Sequence, residues 1–188
     1  MTIKVKICGI RNLSSALAAV SAGADFLGFI FVASSPRCID VTTAFQIVNQ
    51  LSVKVNTVGV FQNASTTTIN SVAFKLNLDY VQLHGQEDNR LIKKIATPVI
   101  KTVFPKDNPY QYTHAKYLLL EHFDLEKAAQ VNTTQDIFIA GGLTAKNVTA
   151  AVFAVKPYAV DVASGVETDG HTDTNKVIQF INQAKNYV

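Results

Sequence analysis

The polar residues able to do chemistry in this chain stand singly, each at the end of an apolar run or just past one. Cys8 closes Lys6-Ile7-Cys8-Gly9, His84 follows Val81-Gln82-Leu83, and Glu121 ends the run Tyr117-Leu118-Leu119-Leu120. Asp161 interrupts Val160-Asp161-Val162-Ala163, and Arg37 lies in the proline-stiffened loop Ser34-Ser35-Pro36-Arg37. Thiol, imidazole and carboxyl groups at such strand ends are able to take or give protons. A guanidinium fork grips a carboxylate by bidentate geometry that an ammonium lacks. Two small-residue turns, Ala140-Gly141-Gly142 and Ala163-Ser164-Gly165, bring bare backbone N–H groups together where side chains would block approach. That arrangement suits a phosphate monoester.

Each residue also has a bland reading. A cysteine at a strand end packs as a small hydrophobe, and a loop arginine is an ordinary solvated cation. His84 is either a satisfied core histidine or a pocket-lining one. Asp161 is costly if left unpaired inside an apolar strand, so it points into a polar opening or bonds backbone amides.

The elements that would position these groups repeat. Strand-like runs fall near 3–8, 26–32, 56–61, 79–83, 98–104, 117–121, 136–140 and 159–163. Helical stretches lie between them near 13–22, 42–51, 66–76, 87–95, 109–114, 125–131, 145–154 and 173–186. Strand ends about twenty residues apart are the repeat of successive βα units. Eight of them predict a (β/α)8 barrel with short helices rather than a five-stranded doubly wound sheet, and barrel chemistry sits at the C-terminal strand ends. With no linker or composition break, 1–188 reads as a single domain.

At 188 residues, 48% of them hydrophobic, the chain has material for one core buried on both sheet faces. A net charge of +3 without a basic run argues against nucleic acid as the main partner and leaves small anionic metabolites open. Cys8 and Cys38 form no disulfide framework and show no metal-ligand spacing. The N-terminus, with Lys4 and Lys6 among apolar residues, does not read as a signal peptide, and the apolar runs are too short for a bilayer. A cytoplasmic protein with no membrane partner is the expectation.

Taken in order, the blocks Lys6-Ile7-Cys8-Gly9-Ile10, Gly28-Phe29-Ile30-Phe31 with Ser35-Pro36-Arg37, Gly59-Val60-Phe61-Gln62-Asn63 and Val81-Gln82-Leu83-His84-Gly85 resemble phosphoribosylanthranilate isomerases of tryptophan biosynthesis. Ala140-Gly141-Gly142-Leu143 with Asn147-Val148, and Val160-Asp161-Val162-Ala163-Ser164-Gly165-Val166-Glu167, extend the resemblance over nearly the whole chain. It implies an Amadori rearrangement of a phosphoribosylated anthranilate, with no metal or organic cofactor. It assigns Cys8 as general base, Arg37 to the anthranilate carboxylate, and the amides around Gly141, Gly142, Ser164 and Gly165 to the phosphate. His84 and Asp161 would line the pocket. The chain departs from the pattern at strand six, where the family has an Asp, a Gly-rich loop and then Phe-Asp-Trp. Here Glu121 stands at the Asp position and Phe123-Asp124 follows almost at once, so the loop is missing. Glu121 is the candidate acid and Asp124, at a helix start, its rival. Competing readings are an isomerase that also accepts the histidine-pathway intermediate ProFAR, and a non-catalytic phosphate-binding barrel, which would not need Cys8 or Arg37. Contacts with other tryptophan-pathway enzymes stay open.

Overall fold

Short β-branched runs bounded by turn residues are the strand signal, and each of the eight becomes a strand within two residues of its expected limits. The computed structural model describes residues 2–51 and 53–186. Its strands are β1 (Lys4–Cys8), β2 (Phe26–Ile30), β3 (Asn56–Phe61), β4 (Tyr80–Leu83), β5 (Val99–Val103), β6 (Tyr117–Glu121), β7 (Asp136–Ala140) and β8 (Ala159–Val162). Neighbours in sequence pair in parallel, and β8 pairs back onto β1, closing the barrel.

Because side chains alternate along a strand, one set faces the barrel interior and the other faces the helices. Phe26, Val58, Ile100, Tyr117, Leu119, Phe138 and Ala159 form the inner cluster near the N-terminal strand ends. Val5, Ile7, Leu27, Phe29, Leu83, Leu118 and Leu120 belong to the outer core, shared with the helices. Those helices are α1 (Leu13–Ser21), α2 (Val41–Gln50), α3 (Thr66–Leu76), α4 (Asn89–Ile92), α5 (Leu125–Gln130), α6 (Val148–Val155) and α7 (Thr174–Lys185). Asn12, Asp40, Ser65, Asp88, Asp124 and Asp173 each cap a helix by accepting a first-turn backbone N–H.

Three helical expectations need correction. The helix expected over 87–95 contracts to the four residues of α4, and that over 109–114 to one 3₁₀ turn at Pro109–Gln111. Pro-Tyr-Gln-Tyr-Thr-His offers no apolar stripe to bury, so little holds further turns there. The helix expected from 145 begins at Val148, after a turn in which the Asn147 side chain accepts from the Thr144 N–H. A small hairpin, β9 (Glu167–Thr168) with β10 (His171–Thr172), was not expected. Among the described residues, no helix is long and apolar enough to cross a membrane.

Candidate active site

The C-terminal strand ends open onto a cavity of about 440 Å³, within the range of small-molecule sites. Cys8, Arg37, His84, Glu121, Gly141, Gly142, Asp161, Ser164 and Gly165 all line it. Residues from across the sequence thus meet because β1, β4, β6, β7 and β8 end at one rim. Asp124 does not line the cavity. Its carboxylate caps α5, accepting from the N–H groups of Glu126 and Lys127.

Cys8 ends β1 almost fully buried. Burial, with the charges of Asp161 and Glu121 added, holds its thiol above the ordinary cysteine value, although the ammonium of Lys6 pulls it down. Glu121, at the end of β6, has a side chain only 17% exposed. Burial, with the charge of Asp161 added, pushes its carboxyl up to about 7, so it holds a proton near neutral pH. His84 is lowered by burial, and its Nδ1 lies 3.2 Å from Thr102 Oγ1. Asp161 accepts from Lys6 Nζ at 2.9 Å, which resolves its cost inside the strand.

Arg37 is not a freely solvated cation. Its Nε and Nη2 donate to Glu167 Oε1 and Oε2 at 2.8 and 2.6 Å. The guanidinium has five N–H donors, so this pairing consumes one edge and leaves Nη1 and the second Nη2 hydrogen. The hairpin β9–β10 that carries Glu167 is tied to the β1 loop as well, through Arg11 Nη2 and the Gly170 carbonyl.

The two glycine turns abut. A Cβ on Gly165 would collide with the Leu143 carbonyl oxygen, so only glycine lets the loop after β8 lie against the loop after β7. The backbone N–H groups of Gly142, Leu143, Ser164 and Gly165 donate to no acceptor among the described residues. Four free donors around one corner of a cavity form an anion nest.

Between β6 and α5 stand only His122, Phe123 and Asp124. His122 turns the chain with φ of +57°, packed where a side chain on Gly141 would sit. The link after strand six is thus three residues long, and the bare Gly141 just past β7 leaves room for His122.

Several residues of the site escaped the sequence reading. Lys6, fully buried, lies under Cys8; strand parity places it on the same face, two residues down. Gln82 is 2% exposed and lines the cavity, with Nε2 on Thr102 Oγ1 at 3.1 Å and Oε1 without a partner among the described residues. Glu167 carried no local signal, since its partner Arg37 is 130 residues away. Among the described residues, no group of three His, Cys, Asp or Glu is arranged to hold a metal ion.

Residues 5–183 match the family described as N-(5'-phosphoribosyl)anthranilate (PRA) isomerase. The N-(5'-phosphoribosyl)anthranilate isomerase of Pelobacter propionicus is 40% identical over 200 positions, covering 97% of this chain and 96% of that protein. That alignment is longer than the 188 residues here, so the relative carries residues this chain lacks. A phosphoribosyl anthranilate isomerase crystallised with reduced 1-(o-carboxyphenylamino)-1-deoxyribulose 5-phosphate superimposes with a TM-score of 0.90 at 38% identity, covering 98% of this chain and 99% of that one. The isomerase of Thermotoga maritima gives 0.93 at 36% identity, with 98% and 99% covered.

Proposed function

The chain belongs to the N-(5'-phosphoribosyl)anthranilate isomerase family and performs its isomerisation in tryptophan biosynthesis, and we propose that Cys8 and Glu121 divide the proton transfers of that reaction. The observation that carries this reading is the meeting of a thiol, a proton-holding carboxyl and an anion nest on one cavity.

In the proposed sequence, Glu121 gives its proton to the ribose ring oxygen as the C1′–O bond breaks. The electron pair of the anthranilate nitrogen forms C1′=N, giving a protonated Schiff base. The Cys8 thiolate then takes the C2′ proton, and the C2′–H electrons form C1′=C2′ while neutralising the nitrogen. The resulting enaminol becomes the aminoketone when the C1′=C2′ electrons take a proton at C1′ while the C2′ hydroxyl releases its own proton to water, its electrons forming C2′=O. Every electron pair stays within the substrate, so no redox partner is needed. The free edge of Arg37 takes the anthranilate carboxylate, and the amides of Gly142, Leu143, Ser164 and Gly165 take the phosphate. Gln82 Oε1 offers an acceptor to a ribose hydroxyl. The three-residue link after β6 leaves the cavity without the Gly-rich cover described for the family, so water reaches it more freely.

Cys8→Ala tests the base. It should fold normally and lose turnover by at least about 100-fold, the scale of a general base. Activity is followed by loss of substrate fluorescence, with substrate made in situ from anthranilate and phosphoribosyl pyrophosphate. Turnover near that of the unaltered protein would remove Cys8 from the mechanism.

A further inference from the structure

Two lysines are buried without exposed side-chain surface, and they are not equivalent. Lys101 Nζ donates to the carbonyls of Leu83 and Gly85 and to Glu87 Oε2, at 3.3, 2.7 and 3.1 Å. Three acceptors match its three N–H bonds, and the result is a pinned loop after β4. Lys6 Nζ has one carboxylate partner, Asp161 Oδ1 at 2.9 Å. Its other neighbour is the sulfur of Cys8. A Cβ placed on Gly28 would sit 3.1 Å from Lys6 Nζ and 2.7 Å from Cys8 Sγ, so ammonium and thiol flank a single point. The bare Gly28, paired with Cys8 across β1 and β2, leaves that point empty and lets them approach.

A buried ion pair adds little net stability over apolar residues of the same volume. Folding alone therefore gives no reason for an ammonium at this depth. The chemistry does, because a buried thiol resists ionisation and the reaction requires a thiolate.

We propose that Lys6 is a positioning residue for the reaction, its ammonium fixed by Asp161 beneath Cys8 so that the thiolate forms and is held facing the substrate. This rests on the reading of Cys8 as the base. The charged groups facing the thiol are few. Asp161 from β8 and Glu121 from β6 both oppose a second negative charge, and His84 from β4 is kept neutral by burial. Arg37, from the loop after β2, is already matched by Glu167, and Lys101 from β5 is committed to Glu87. Lys6 remains as the cation at the sulfur. Burial opposes its charge, yet Asp161 and Cys8 together hold it protonated.

The test measures the thiol itself, without substrate. In a Cys38→Ser background, which removes the exposed cysteine, the rate of Cys8 alkylation by iodoacetamide is measured against pH. Lys6→Met should raise the midpoint by at least about 1 pH unit, the scale for losing an opposite charge at this range. The upper inflection of the kcat/KM profile, which Cys8 sets because Glu121 titrates below it, should move up by the same amount. Should Lys6→Met fail to fold, Lys6→Met/Asp161→Asn removes both charges; its midpoint should still rise, by less, because Lys6 acts on the thiol more strongly than Asp161 does. A midpoint at or below that of the parent in the variant that folds overturns the proposal, even if stability has dropped. Cys8→Ala reports separately: retained turnover there defeats the base, whereas the alkylation midpoint judges Lys6.

Discussion

At the N-terminal end of the barrel, Phe26, Tyr80, Tyr117 and Phe138 pack together with ring centroids between 5.3 and 5.7 Å apart. At the C-terminal end, the same interior face carries Cys8, Glu121 and Asp161 around an open cavity. β6 shows the change within one strand, since Tyr117 is part of the plug and Glu121, four residues on, faces the cavity. The rings satisfy one another by contact, in the geometry aromatic pairs favour. Two polar groups above are left short of solvent or partners: Glu121 keeps its proton to about pH 7, and Gln82 Oε1 has no partner among the described residues. One end is built to hold the fold, and the other is held in a costly state that, in the proposed reading, the substrate relieves.

The contrast breaks most visibly at the plug. Phe138→Ala removes a fully buried ring and should cost about 3–5 kcal/mol in denaturant unfolding. Turnover per folded molecule should be nearly unchanged, and a cost below about 1 kcal/mol would mean the rings are not tightly packed.

The second test reverses the sign. The Glu121 carboxyl titrates at about 7 when folded against an ordinary 4.5. Between those values the folded protein holds a proton that the unfolded chain has released, so stability falls as pH rises from about 4.5 to about 7. The span corresponds to about 3 kcal/mol. Glu121→Gln lacks that slope, so it should equal the parent in stability near pH 4.5 and exceed it near pH 8. Parallel stability curves would show that the carboxyl is not desolvated.

The smallest effect belongs to binding. Arg37→Ala loses a charged hydrogen-bonded contact worth about 1.5–3 kcal/mol, a rise in KM of roughly 10- to 100-fold. Because the carboxylate is remote from the reacting carbons, kcat should change little. A collapse in kcat with KM intact would give Arg37 another task.

The same physics explains what could be read in the chain beforehand. Strands were legible because runs such as Tyr117-Leu118-Leu119-Leu120 stop at polar or small residues, and the rim followed from strand count. Lys6 was missed because alternation with apolar residues ordinarily means water on the polar side, whereas in a closed barrel that side is the interior. Glu167 was missed because its pairing with Arg37 exists only in three dimensions, across a hairpin of two-residue strands too short to show a period. Among the candidate acids, chain position did separate the two: Asp124 precedes α5 and caps it, while Glu121 ends a strand and faces the cavity.

The division of labour at the rim is tested most directly by measuring turnover of Glu121→Gln and Asp124→Asn side by side at pH 7. Glu121→Gln should fold and lose at least about 100-fold in kcat, because the ring oxygen has lost its proton donor. Asp124→Asn should keep most of its turnover, with at most a modest loss of stability from the weakened cap of α5. If Asp124→Asn abolishes turnover in a folded protein while Glu121→Gln is tolerated, the acid has been misassigned and the account of this site is wrong.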